Sequence, residues 1–477
     1  MSTAKATDRV LSTLNVDGSR RWLRPRLSEG SFWHKRRAVA YGLMFLFFII
    51  PYLRMNGHPV ILLDLPKREF HLFGATFLPT DTLLFMLLFV SIGIGIFLLT
   101  ALFGRVWCGW GCPQTVYMEF LFRPLERLIE GGRTGTLALD RQTGLKPRRL
   151  LKYGVFLLLS LFLAHTFLAY FVGIERLVQW VRLSPVEHPT AFFVMAATTA
   201  AIMFDFTYFR EQTCLVACPY GRLQSVLLDR KSLIVGYDYG RGEPRTKGAK
   251  HTEGAGDCID CGACVQTCPT GIDIRDGLQM ECIHCTQCAD ACDEIMDRVG
   301  RPRGLVRYTS RDELEGKPKR FLRPRVVLYP LALTIAVGAF LFFLTTKEDT
   351  DVTILRGIGA PYSFEPDGRV VNQVRIRVTN RADSPREYQI ELAGADGAQV
   401  IAPENPLRVA PGELRTTSLF IVGPRSLFHD GKRAISVQLS DGNTYSASLP
   451  YTMVGPDDDD GDDDVEPKRE GPREDDR

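Results

Sequence analysis

Long apolar runs constrain this chain more than any other feature. Stretches of spanning length, about 17 to 25 residues, lie at roughly 38–53, 82–103, 153–172, 190–209 and 326–344. Backbone placed in hydrocarbon must satisfy its own N–H and C=O groups, so such runs specify transmembrane helices. The first is short and carries Pro51, which blurs its end. Lys plus Arg in the segments around these runs number 9 (1–37), 3 (54–79), 8 (104–149), 2 (173–189) and 19 (210–325). This alternation is the positive-inside pattern. It predicts a cytoplasmic N-terminus, a cytoplasmic 104–149 loop and a cytoplasmic 210–325 region, with everything after the fifth run outside. The charged N-terminal stretch ending "SFWHKRR" does not resemble a cleaved secretory signal, so the first run reads as an uncleaved anchor.

All twelve cysteines, at positions 108, 112, 214, 218, 258, 261, 264, 268, 282, 285, 288 and 292, fall on the expected cytoplasmic side. Thiols in a reducing compartment at two- and three-residue gaps read as metal ligands or redox groups rather than as a disulfide framework. The formal net charge of +3 hides a basic cytoplasmic face offset by "DDDDGDDD" near the C-terminus, a composition expected of a solvated, disordered tail.

The organisation read from the sequence is a mobile cytoplasmic N-terminus (1–30), a four-span membrane core (31–235), a cytoplasmic ferredoxin-like domain (236–325), a fifth span (326–345), a periplasmic β-sandwich (351–455) and an acidic tail (456–477). Residues 236–257, rich in Gly and charge, read as a linker inside that scheme. In the core, "RVWCGWGCPQTVYMEFLFRPLERLI" follows the second run and "REQTCLVACPYGRLQSVLLDRKSLI" follows the fourth. Each has an arginine past the span (Arg105, Arg210), then Cys-x-x-x-Cys-Pro, then apolar residues at helical spacing: Val116, Phe120 and Leu121, or Leu223, Val226 and Leu227. An internal repeat of span, span, cysteine pair and surface helix accounts for both and puts the pairs at one membrane face. Beyond residue 351, "VVNQVRIRVTN", "REYQIELAG", "ELRTTSLFIVG", "KRAISVQLSDG" and "TYSASLPYTM" alternate apolar and polar residues between turn formers. That is the pattern of an immunoglobulin-like sandwich. It lacks cysteine and any catalytic cluster, so a docking or spacer role is expected.

Cys258, Cys261, Cys264 and Cys268 form C-x2-C-x2-C-x3-C-P, and Cys282, Cys285, Cys288 and Cys292 repeat the spacing 24 residues on. This is the two-cluster ferredoxin arrangement, in which the fourth cysteine of each run ligates the other cluster. Cys258, Cys261, Cys264 and Cys292 are thus assigned to one [4Fe-4S] cluster and Cys282, Cys285, Cys288 and Cys268 to the second. The second run lacks the closing proline. Zinc sites usually pair two Cys-x-x-Cys units across a longer spacer, so zinc fits poorly.

Cys108 with Cys112, and Cys214 with Cys218, would share one face of a helical turn and bind a soft metal ion or form a transient disulfide. Proline after each second cysteine suits a helix start. The helix dipole and the neighbouring arginines are expected to favour thiolate, a ligand that selects Cu(I). Inert buried cysteines are the plainer alternative. Among polar residues, His165 lies inside the third run, where an ionisable group is a functional candidate or a residue bonded to a neighbouring helix. Asp205 and Glu211 flank the second pair and could support its thiols through hydrogen bonds or handle protons. His58 and His71, with Met55, could receive a metal or quinol on the outer side. Trp107 and Trp110 read as interfacial anchors.

"WCGWGCPQTVYMEF", "REQTCLVACPYGRLQSV" and "CIHCTQCADACDEIMDRVGRPRGLVRY", with five spans and a C-terminal sandwich, resemble the cytochrome c oxidase accessory proteins of the CcoG/FixG/RdxA type over about residues 32–454. The resemblance implies a bacterial inner-membrane protein with two [4Fe-4S] clusters that serves assembly of a cbb3-type oxidase. The activity it implies is that of a cupric reductase, with copper as substrate or transiently bound ion. Copper would sit at Cys108, Cys112, Cys214 and Cys218. Expected partners are the membrane, copper chaperones or oxidase assembly factors and an unidentified electron donor, with no nucleic acid; a homodimer is compatible. Two other readings stay open, a quinol-linked electron-transfer subunit and a non-catalytic copper-binding scaffold. With no Gly-rich dinucleotide fingerprint and no P-loop, a nicotinamide or flavin donor would be a separate protein.

Overall fold

The computed structural model describes residues 11–456, apart from 16, 56–57, 80, 143, 145, 249–252, 319–322, 383, 395–396 and 444. The acidic tail therefore lies outside the described residues from position 457 on. The chain divides into two compact units, Met1–Phe343 and Leu344–Arg477.

Among the described residues, four helices of the first unit are long and apolar enough to cross a membrane: Thr82–Phe103, Pro147–Val172, Pro189–Phe209 and Pro324–Thr345. Their outward faces are large apolar side chains such as Phe89, Leu158, Phe193 and Phe342, which only a lipid environment would leave unpenalised. The expected first span is not a fifth helix of that kind. Helix α1 (Ser31–Ile49) spends its first turns on His34, Lys35, Arg36 and Arg37, and a short 3-10 turn through Pro51 ends it. Its course is nevertheless fixed at both ends. The N–H groups of Phe32 and Trp33 donate to the Asp290 carboxylate at 3.1 and 2.7 Å, so an acid far along the chain fills the role of an N-cap. Gly30 is needed there, because a Cβ would stand 2.3 Å from Asp290 Oδ1. At the other end Tyr170 donates to the Phe47 carbonyl at 2.8 Å, and Arg54 pairs with Glu175. Two small antiparallel sheets follow α1, β1 (Arg54–Met55) with β2 (His58–Pro59), and β3 (Ile61–Asp64), β4 (Glu69–Leu72) and β5 (Ala75–Phe77).

The segment 11–30, expected to be mobile, is packed. Thr13, Leu23 and Ser28 are buried, Ser12 donates to the Thr270 carbonyl at 2.6 Å, and Arg20 pairs with Glu211 at 3.3 Å. Its polar composition concealed partners supplied by other parts of the chain. The linker reading of 236–257 also fails at its start. Strand β6 (Ile234–Tyr237), buried at every position, pairs antiparallel with β7 (Val306–Thr309) and closes the cysteine-rich domain as a two-stranded sheet.

The second unit is an immunoglobulin-like sandwich. One sheet runs β12 (Gln399–Ile401), β14 (Leu414–Gly423), β10 (Val370–Asn380), β8 (Thr350–Arg356), with β9 (Ser363–Phe364) beside β10; the other runs β13 (Leu407–Val409), β11 (Arg386–Ala393), β15 (Lys432–Ser440), β16 (Ser446–Val454). Alternation along β10 sends Val374, Ile376 and Val378 into a core shared with Ile390, Leu419 and Val437, as a period of two requires.

Candidate functional site

The two cysteine runs share a backbone device. Asp260 and Gly262 have φ of 51° and 67°, and His284 and Thr286 have 54° and 58°. The same left-handed turns thus recur at the 24-residue offset, each followed by a helix, Ala263–Thr267 or Gln287–Arg298. Alternation of left- and right-handed residues turns successive N–H groups into a concavity that suits an anion such as an iron–sulfur cluster. One cavity is lined by Cys258, Cys261, Cys264 and Cys292. Another is lined by Cys268, Cys282, Cys285 and Cys288, and by Cys264, which the two cavities share. Burial raises Cys264, Cys282 and Cys292 to about 12 and Cys285 to about 11, so thiolate there requires a positive partner. Arg36, fully buried with both terminal guanidinium nitrogens unpartnered, lies close enough to Cys285 to act on its charge. A buried cation is costly unless an anion stands beside it; the buried Glu119 carboxylate is one, and a tetrathiolate cluster would be a second.

The first cysteine pair is built onto this domain. Chain leaving the second span turns at Gly104, with φ of 59° and ψ of −127°, and a Cβ there would stand 2.1 Å from the Leu233 carbonyl oxygen. Beyond the turn the Arg105 N–H donates to His284 Nδ1 at 3.2 Å. Burial, with Arg105 beside it, pushes His284 down to about 3, so its ring is neutral. Gly109 presses on the cluster loop: a Cβ would lie 2.7 Å from the Ile283 carbonyl oxygen and 2.8 Å from Cys285 Cα. Arg36 Nε donates to the Gly109 carbonyl at 2.9 Å. Trp110 Nε1 donates to Tyr308 Oη at 2.9 Å, and that hydroxyl donates to the His284 carbonyl at 2.8 Å. Trp110 is thus a strut between two parts of the site rather than an interfacial anchor.

The second pair repeats the turn with different chemistry. Arg210 takes φ of 53° and ψ of −121°, so its counterpart is Gly104 and the counterpart of Arg105 is Glu211. The two arginines are not equivalent. Arg210 holds this glycine-like conformation, a strain of about 1–3 kcal/mol, while its guanidinium binds Glu126 through two bonds of 3.0 and 2.9 Å. It faces that carboxylate, not the thiols.

Cys112 and Cys218 are the N-caps of helices that begin at Pro113 and Pro219. Cys112 is near enough to feel Cys218, and Cys214 feels Cys112, Cys108 and Cys218, so the four thiols share one electrostatic neighbourhood. The expectation of thiolate is reversed. Burial pushes Cys108 up to about 11 against the pull of Arg105, raises Cys112 against two backbone N–H groups, and raises Cys214 furthest. A bound soft cation would have to displace these protons. Cys108 Sγ donates to Gln224 Oε1 at 3.1 Å, and Gln224 is itself held by Tyr220 and Thr100.

The other candidates separate. The Asp205 carboxylate accepts from Thr213 and from Gln114 and acts on Cys112 and Cys214. Glu211 faces Arg20 and Arg123 instead. Trp107 is part of the wall of a cavity of about 650 Å³. His165 bonds the Leu161 carbonyl one turn back at 2.8 Å. His58 and His71 stack with ring centroids 4.6 Å apart, and Met55 pairs with His58 across the first hairpin. Sequence reading missed Arg36, which passed as topogenic charge, and Gly109, although a glycine between two cysteines is a signal of close backbone approach.

Comparison with known proteins agrees with this architecture. A 4Fe-4S dicluster domain model matches residues 209–311, a 4Fe-4S binding domain model matches 83–130, and the IG-like fold at the C-terminal of FixG matches 340–456. Protein RdxA of Cereibacter sphaeroides is 36% identical over 391 residues, covering 78% of this chain and 82% of that protein. Protein RdxB of the same organism is 36% identical over 424 residues, 83% and 88%. The nitrogen fixation protein FixG of Rhizobium meliloti is 30% identical over 493 residues, 90% and 92%. The chain belongs to the FixG/RdxA family. A crystal structure of a FixG-related protein from Vibrio parahaemolyticus aligns with 23% of this chain and 98% of its own length, at 16% identity and a TM-score of 0.21. This FixG/RdxA-family chain is a membrane iron–sulfur protein of electron transfer. The 83–130 match is notable because its only cysteines are Cys108 and Cys112.

Proposed function

We propose that this protein reduces Cu(II) to Cu(I) and supplies the reduced ion for assembly of a cbb3-type oxidase. The observation that carries the reading is the seating of Gly109, between Cys108 and Cys112, against the backbone of Cys285. When bound, the two [4Fe-4S] clusters supply one-electron carriage, held by Cys258, Cys261, Cys264 and Cys292 and by Cys268, Cys282, Cys285 and Cys288. The chain's own residues do the rest. Gly109 lets the copper loop approach the cluster loop, Arg36 balances negative charge between them, and Cys108, Cys112, Cys214 and Cys218 give the soft ligands that favour Cu(I). Cu(II) gains one electron there and leaves as Cu(I). A copper chaperone or assembly factor would receive it.

In this reading the chain crosses the bacterial inner membrane five times, with the N-terminus and cluster domain cytoplasmic and the sandwich periplasmic. The charge alternation supports it, as do the ties of α1 to Asp290 at one end and to Tyr170 and Glu175 at the other. Purified protein with Cys108, Cys112, Cys214 and Cys218 replaced by serine should keep its cluster absorbance and lose Cu(II) reduction by clusters that have been reduced with dithionite and freed of the excess. Undiminished reduction in that variant would sink the assignment.

A further inference from the structure

The cavity of about 650 Å³ beside the first cysteine pair has walls of two kinds. Leu43, Met44 and Phe47 of α1, with side chains of the spanning helices Pro147–Val172 and Pro189–Phe209, make it apolar on the membrane side. Gly111 and Pro113, either side of Cys112, form its other wall together with Gln114, Tyr117 and Asp205. Its size is that of a small-molecule site, roughly 300–1,000 Å³. The Tyr117 hydroxyl is buried with no hydrogen-bond partner among the described residues, a cost that a ligand with a polar group would relieve. An acyl chain would leave this hydroxyl unserved. A water-soluble reductant would not enter between apolar spans.

We propose that this cavity binds a membrane quinol, and that the quinol is the electron donor of the protein. The inference rests on the copper reading for its oxidant but not for its binding site. The occupant must be apolar in body, carry hydroxyls at one end and arrive through lipid, and it must be redox-active to matter beside Cys112. The balance closes with the substrate already named. Quinol loses two electrons and two protons and becomes quinone, while two Cu(II) become two Cu(I). Asp205 takes one proton as the O–H bond breaks, and the second is released to water at that membrane face. Tyr117 and Gln114 orient the ring as hydrogen-bonding partners.

The probe is decyl-benzoquinone, with its quinol form made by chemical reduction, added anaerobically to the purified full-length protein. Trp107 is in the cavity wall, so quinone binding should quench tryptophan fluorescence saturably. Ala201→Trp, which fills the cavity, should raise the apparent Kd at least about tenfold with the cluster spectrum retained. Tyr117→Phe, which fills nothing, should weaken binding severalfold and covers the case in which the tryptophan variant fails to fold. Saturable quenching lost in these variants, with decyl-benzoquinol yielding one quinone per two Cu(I), supports the proposal. Quenching identical in wild type and both variants means that only partition into detergent or acyl-chain occupancy is present, and overturns it. If clusters reduced with dithionite and freed of the excess reduce Cu(II) but the quinol does not, the donor assignment fails alone. If the quinone binds saturably but neither reductant yields Cu(I), the copper reading fails and the site stands.

Discussion

Gly109 is the residue at which sequence, packing and function meet most tightly. A methyl group there would stand 2.8 and 2.9 Å from Cys285 Cα and N, so Gly109→Ala must push the two loops apart. Misplacement near 1 Å can cost up to about 10²-fold in a positioned reaction. The expected outcome is a Cu(II) reduction rate at least about tenfold lower, with both clusters still loaded, read by stopped-flow absorbance against iron and sulfide content. Arg36 gives a second test. Removing a cation beside the pocket of Cys268, Cys282, Cys285 and Cys288 disfavours adding an electron there, so Arg36→Met should lower one of two reduction potentials by on the order of tens of millivolts and leave the other unchanged in an EPR-monitored titration. The eight cluster cysteines were legible because their spacing is local. Neither Gly109 nor Arg36 was, since each takes its meaning from a loop far away in sequence. Arg105 and Arg210 show the opposite error. Their shared charge suggested equivalence, yet the turn aligns Arg210 with Gly104, and backbone conformation leaves no mark in a motif keyed on side chains.

At the scale of elements, one contact ties α1 to the cluster domain and a second ties the spanning helices to one another. One is the capping of α1 by Asp290. Asp290→Ala removes an N-cap and should cost about 0.5–2 kcal/mol of stability, seen as a lower unfolding midpoint in detergent. The other is the buried network around Glu126, which binds Arg210 and Lys152. Burial would raise Glu126, but Arg210 and then Lys152 and Arg24 outweigh it and hold the carboxyl far below its ordinary range. A depressed carboxyl contributes stability that is full above its unfolded value near 4.3 and is lost as pH falls towards the folded value. Glu126→Gln should therefore cost about 3–5 kcal/mol at neutral pH, and the gap to wild type should narrow only below about pH 4. The helical repeat was legible as a pattern of spans and cysteine pairs. What it hid was asymmetry, because Val116 and Phe120 are buried in the first copy while Leu223 and Val226 are exposed in the second.

Across the whole molecule, fold class followed from periodicity. Apolar runs became helices, and alternation of period two became the sandwich. The parts that did not follow were the first apolar run, whose helix α1 is not among the four long and apolar enough to span, and 11–30 and 234–237, polar or short segments whose order comes from partners elsewhere. One electrical logic runs through the first unit: cluster pockets on one side of Gly109, four soft thiols on the other and an amphipathic cavity opening beside them. The most direct test of that logic is anaerobic Cu(II) titration of the wild-type protein with its clusters fully reduced. The account predicts loss of the reduced-cluster spectrum in step with Cu(I) formed, one Cu(I) for each electron the clusters give up. Clusters that stay reduced while copper is added, or Cu(I) that forms with no cluster oxidation, would contradict it.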